Sequence, residues 1–177
     1  MMLARGKPDG LALIDASPAG VARSFWAAAI CLPGFLAFRL LAWAEAGGPD
    51  LGIGRGLVAE ILGYVCAWVG FALATLPLAT ATGRRAAWPR FIAAWNWANV
   101  VQYLVLLALT VPAAFGLPAL IGNGLGLAAL GYALWLEWFV AKTALGVSGG
   151  RAASFVLLDL VLGMFIGGLV ARLSMGS

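Results

Sequence analysis

The sequence predicts an all-α fold, a polytopic membrane bundle of five transmembrane helices, on three observations. Of its 177 residues 63% are hydrophobic and only 10% charged, with a mean hydropathy of +0.99, whereas soluble domains carry about 25% charged residues. Apolar runs that approach or exceed the about 20 residues needed to cross a roughly 30 Å hydrocarbon core recur five times, separated by short turns rich in glycine, proline and arginine. Carboxamides and acids stand inside those runs, where lipid offers no hydrogen-bond partner, so they must face protein.

Residues 1–23 read as a cytoplasmic N-terminal tail. Its apolar stretch Leu11–Ile14 is too short for the core of a secretory signal, and no small-residue cleavage site closes it. Ser17 can cap and Pro18 can take the first position of a turn of interfacial helix. Residues 24–177 then form a single transmembrane helical domain. Its first span covers about 25–43, bent by Pro33 and Gly34, with Arg39 inside it. After the glycine-rich loop Glu45–Arg55 comes a second span, about 57–79, with Glu60 near its start and Pro77 near its end. The basic loop Thr82–Arg90 leads to a third span, about 91–111. The uncharged turn Ala114–Pro118 leads to a fourth, about 117–140. Loop Ala141–Arg151, with Lys142 and the Gly149-Gly150 pair, precedes the last, about 152–173.

Positive charge orients the bundle. With the N-terminus inside, Arg5, Lys7, Arg23, Arg84, Arg85, Arg90, Lys142 and Arg151 share the cytoplasmic side, against Arg55 and Arg172 outside. N-in and C-out follows. Trp88, Trp95, Trp97, Trp135 and Trp138 then form an inner aromatic belt. The net charge of +4 is scattered between apolar spans and makes no solvated basic face, so the expected partner is the anionic inner leaflet of a bacterial inner membrane and not nucleic acid.

Two single counts narrow the chemistry. The chain has no histidine, which excludes histidine-ligated zinc or haem, diiron bundles built on Glu-x-x-His, and histidine-based triads. No cofactor or metal is expected. Cys31 and Cys66 lie within spans without CxxC spacing and read as small buried apolar residues, not a disulfide.

The third span carries the most informative pattern. Asn96, Asn99 and Tyr103 fall at three- and four-residue spacing on one helical face, with Gln102 beside them. At 1.5 Å per residue Asn96 and Asn99 lie roughly 8–12 Å from the cytoplasmic end, and Glu137 and Asp159 reach similar depth on their own spans. This layer reads in two ways. It is a structural clasp that sets helix register, or a proton- or ion-handling site in which the acids are protonated, bonded to Asn96 or Asn99, or wetted by a vestibule. In a separate outer layer, Arg39 and Glu60 either form an ion pair or snorkel separately to the interface. Gly122 and Gly126, and again Gly163 and Gly167, make GxxxG pairs that predict tight packing of the fourth and fifth spans.

The stretches Ser24-Phe25-Trp26, Pro89-Arg90-Phe91-Ile92 with Asn96-Trp97, Glu137 to Val147 and Leu157 to Gly163 resemble short bacterial members of the Yip-domain (Ypt-interacting protein) membrane family. The resemblance runs from about Ser24 onward and implies five spans behind a cytoplasmic tail, with no catalytic residues. The DLYGP-type motif of the family's eukaryotic branch does not occur here.

The expected function is a non-enzymatic integral membrane protein, a scaffold or accessory subunit that meets other membrane proteins or its own copies. The alternative is a small transporter or channel that uses the Asn96, Asn99, Glu137 and Asp159 layer for ions, protons or solutes. An intramembrane aspartyl protease would need a second aspartate within the spans, and only Asp159 is there.

Overall fold

The computed structural model describes residues 2–50, 52–112 and 116–175. Those residues form α-helices and short 3-10 turns, with no strand among them. Five helical stretches are long and apolar enough to cross a membrane. Ala114 and Phe115, part of the turn expected before the fourth span, lie outside the described residues.

Two 3-10 stretches, Leu3–Arg5 and Pro8–Leu13, precede α1, Pro18–Ser24. The Ser17 hydroxyl accepts the Gly20 N–H at 3.0 Å and Pro18 opens the helix, satisfying an orphan donor where a proline loses none. Phe25, in helical conformation, joins α1 to α2, Trp26–Ala46. At Pro33 and Gly34, where a bend is expected, α2 stays helical through both. A proline costs a helix one hydrogen bond without ending it when neighbours support the turn. Gly34 instead admits α4: a Cβ there would meet Leu107 Cδ1 at 3.0 Å.

The next helices are α3, Ile53–Ala81, and α4, Trp88–Thr110. The basic loop is shorter than its composition implied, because Pro89 sits in the first turn of α4 and Arg85–Ala87 is a 3-10 turn. Gly83, at φ 71°, closes α3: its N–H reaches Thr80 O at 3.0 Å and the Arg84 N–H reaches Ala79 O at 2.7 Å. The second bond requires the left-handed conformation that glycine adopts without strain. α5, Ala119–Leu145, and α6, Gly149–Met175, absorb most of the loop expected at 141–151. Gly146, at φ 62°, makes the same closure, with the Val147 N–H on Lys142 O at 3.2 Å and the Val147 side chain buried. A charge and a glycine pair read as loop, yet a left-handed glycine turns the chain within three residues.

The helices form two groups. α2, α4 and α5 stand side by side with α1 against α4, while α3 pairs with α6, which also packs against α5. Aromatic rings join the groups. Phe71 stacks on Trp95 at 4.1 Å, Trp68 meets Trp95 edge-on at 5.3 Å, and Phe91 meets Phe155 at 5.4 Å. Trp95 therefore belongs to the core and not to the expected belt, whereas Trp97 and Trp135 are exposed. Cys66 also departs from expectation, being exposed where Cys31 is buried.

Burial is confined mainly to the end that bears Arg84, Arg85, Lys142 and Arg151, the basic end. The buried residues of α4 run from Phe91 to Ala98, and those of α5 begin at Ala129. α3 has buried residues along its length, from Gly56 to Ala79, and α6 buries Val170 near its far end.

Candidate functional site

Between the two groups lies a cavity of about 220 Å³. Its walls come from α2 (Phe35, Arg39), α3 (Glu60, Tyr64, Trp68), α4 (Trp95, Asn99, Tyr103) and α6, where it extends from Asp159 to Val170. Eleven steps of about 1.5 Å make that wall roughly 16 Å long.

Arg39 Nε stands 3.0 Å from Glu60 Oε2. The carboxylate side is 9% exposed and the guanidinium side 44%, so the acid is held by protein while the base reaches the cavity mouth. The Arg39 Cζ also lies 5.6 Å from the centre of the Phe35 ring, a cation–π distance. Tyr64 supports this wall from behind, donating its hydroxyl to Ala28 O at 2.7 Å. The ion pair and the polar layer, expected at different heights, thus line one cavity. The cavity is long enough to hold both heights.

Asp159 opens on this cavity together with Asn99 and Tyr103. Among the described residues the ion pairs are Arg23–Asp15 and Arg39–Glu60, so Asp159 has no basic partner there. Asn99 donates Nδ2 to Trp95 O of its own helix at 3.0 Å.

The other members of the expected cluster turn elsewhere. Asn96 is fully buried and donates Nδ2–H to Ser24 Oγ at 2.7 Å, and Ser24 donates its hydroxyl to Val21 O at 2.6 Å. Gln102 donates Nε2 to Ala133 O at 2.9 Å. These two are clasps, one binding α1 to α4 and the other α4 to α5. At about 100° per residue Asn96 points roughly 60° away from Asn99, enough to face a different helix. Glu137 is 4% exposed, with Oε1 left without a hydrogen-bond partner among the described residues. The hydrogen bonds expected from Asn96 or Asn99 to the two acids are not made.

The GxxxG expectation is corrected. A Cβ on Gly126, Gly163 or Gly167 would meet nothing within 4 Å, Gly122 is half-buried, and Gly163 and Gly167 line the cavity. α5 and α6 do meet, but at the corner where Trp138 donates Nε1–H to Gly149 O at 2.9 Å. Gly126, Gly163 and Gly167 make room and do not draw helices together. Residue chemistry did not single out Ser24, Tyr64 or Trp68. The Tyr64, Trp68, Phe71 spacing of four and three was the available signal, an aromatic face on the second span.

Three Asp, Glu or Cys side chains do not come together among the described residues in a way that would hold a metal ion. Compared with known proteins, the chain matches no protein-family model, no curated protein and no solved structure.

Proposed function

We propose that this chain is a non-enzymatic, multi-pass inner-membrane protein, N-in and C-out, that takes up protons or small cations through the cavity between its two helix groups. The single observation that carries this reading is Asp159, a carboxyl on an intramembrane cavity whose only nearby base is already committed to Glu60. With all three groups ionised the cavity is one charge negative, which low-dielectric surroundings tolerate poorly until a proton or cation balances it. At about 30 Å³ per molecule the volume takes roughly seven waters, and it falls below the about 300 Å³ of the smallest drug-sized pockets. An ion with part of its hydration shell suits it. Trp68, Trp95, Tyr64 and Phe35 line it beside the charged groups.

Flux into liposomes tests the reading. Full-length protein should collapse an imposed proton or potassium gradient faster than protein-free vesicles, Asp159→Asn should abolish the difference, and Gln102→Leu, which alters a clasp away from the cavity, should retain it. Equal leakage with and without the protein sinks the proposal.

A second reading, an accessory subunit or scaffold, draws on a different observation. Beyond the basic end, α5 and α6 leave Leu120, Leu127, Met164 and Phe165 exposed, a surface open to partner helices as well as to lipid. A monodisperse monomer after mild-detergent extraction, without a co-purifying protein, counts against it. Kinship with the short bacterial Yip-domain proteins fits either reading and rests on the sequence stretches given above.

A further inference from the structure

Toward the basic end the cavity gives way to packed side chains. Phe71 lies on Trp95 at 4.1 Å and Phe91 meets Phe155 at 5.4 Å, while Ala94, Leu136 and Val140 have no accessible surface at all. A side chain without accessible surface borders no space that a water could fill. A hydrated ion therefore has no way past these residues.

Two buried side-chain atoms in the bundle lack a hydrogen-bond partner among the described residues, Asn96 Oδ1 and Glu137 Oε1. A carboxamide oxygen can only accept, whereas a carboxyl can take up a proton and release it. Glu137 is the one that can do chemistry. Its height follows from the bond of Gln102 Nε2 to Ala133 O, which sets the register of α4 against α5. One turn from that bond toward the basic end, Glu137 comes level with Ala98. Trp95 and Asn99, on either side of Ala98 along α4, line the cavity together with Asp159. Glu137 thus stands at the height of the cavity's inner wall, one helix behind it.

The oxygens on the cavity wall are few. Asp159 offers its carboxylate, Asn99 its Oδ1 and Tyr103 its hydroxyl, while the Tyr64 hydroxyl is turned to Ala28 O and Glu60 to Arg39. Calcium takes about six to eight oxygen ligands, and potassium gives up its waters to rings of carbonyls. Trp68, Leu162, Ile166 and Val170, which make up much of the remaining wall, supply neither. The cavity cannot strip a metal cation, and an unstripped one cannot pass the rings. A proton needs only one carboxyl at a time.

We propose that the species this cavity takes up is the proton, to the exclusion of metal cations, and that Glu137 is the carboxyl that carries it on toward the basic end. The inference rests on the reading of the cavity as an ion path. Transfer breaks the O–H bond on Asp159 and makes one on Glu137, directly or through a cavity water, and no electron moves. Asp159 is then recharged from the cavity mouth, and Glu137 releases its proton on the basic side.

Liposomes that hold full-length protein and a trapped pH-sensitive dye test this in two arms. In the first, potassium is equal on both sides, valinomycin clamps the potential, and a pH step is imposed. In the second, a potassium or sodium gradient is imposed with a protonophore and no valinomycin, so that any metal cation the protein carries draws protons the other way and registers on the same dye. The protein should speed the dye response several-fold over empty vesicles in the first arm and leave the second unchanged. Glu137→Gln, which keeps the shape of the side chain and cannot carry a proton, should lose that gain, and Glu137→Asp should recover part of it. A structural role would favour glutamine over aspartate. A protein-dependent signal in the second arm overturns the proposal and leaves the ion path standing; silence in both arms overturns the ion path as well. Full proton flux in Glu137→Gln, or equal loss in Glu137→Gln and Glu137→Asp when near-ultraviolet dichroism shows both folded, also overturns it.

Discussion

The two ends of this bundle differ more than their compositions do. At the basic end Phe91, Ile92, Leu136, Val140, Leu145 and Phe155 are each at most 1% exposed, and the gaps between helices are filled by rings. At the other end Leu120 is 86% and Met164 78% exposed, and the two helix groups separate around a polar cavity. Apolar residues occupy both ends. Lipid solvates leucine as well as protein does, so hydrophobicity alone does not pull membrane helices together, and packing depends on shape and on polar contacts. Large rings and the Asn96 clasp supply both at the basic end, with the Gln102 clasp nearer mid-helix; Gly126, Gly163 and Gly167 supply neither at the other.

The largest effect should separate the ends directly. Phe91→Ala should cost about 3–5 kcal/mol, and Phe165→Ala, at a 64% exposed position, no more than roughly 0.5 kcal/mol, both read from unfolding in a denaturing detergent titration. A comparable loss at Phe165 would mean that another chain covers the open end.

Glu60→Gln comes next. It strands the Arg39 guanidinium in the cavity, and because Arg39 is partly exposed the cost should be about 1–3 kcal/mol, between that of surface and of buried pairs. Adding Arg39→Gln should recover part of the loss. If the double variant is no better than the single one, the pair is not what holds the cavity wall.

Gln102→Leu removes the clasp to Ala133 O and should destabilise by about 0.6 kcal/mol, and not beyond about 2, as interhelical bonds in membranes do. The same unfolding titration reads it. The smallest effect lies outside the spans. Ser17, through its hydroxyl and its backbone N–H, and then the Arg23 guanidinium hold the Asp15 carboxyl below its ordinary value of 3.8. Its contribution to the start of α1 is thus complete above 3.8 and lost as pH falls through the lowered value. Amide exchange at Ser17 and Gly20 should quicken only in that acid range, and Asp15→Asn should remove the pH step; a step unchanged by the substitution would assign it to another group.

Much of the fold was legible because its rules are local. Five runs of sufficient length, the Ser17-Pro18 start and the prolines and glycines near helix ends follow from backbone hydrogen bonding in a medium that offers none. Boundaries slipped where a single left-handed glycine replaced a loop, at Gly83 and Gly146. The site was half legible. The spacing of Asn99 and Tyr103 placed both on one face, and that face does line the cavity with Asp159. Asn96 belonged to the same pattern and went to Ser24 instead.

What the sequence determined by itself is the class of the molecule and the set of side chains that hydrocarbon would not accept, since both follow from the solvent and from one helix at a time. Which of those side chains meet was decided only in three dimensions. A polar group in a membrane helix has to find protein somewhere, but rotation and tilt of its neighbours choose the partner. Those rotations sent Asn96 and Gln102 into clasps, brought Arg39, Glu60 and Asp159 around one cavity, and laid residues 2–14 over α4.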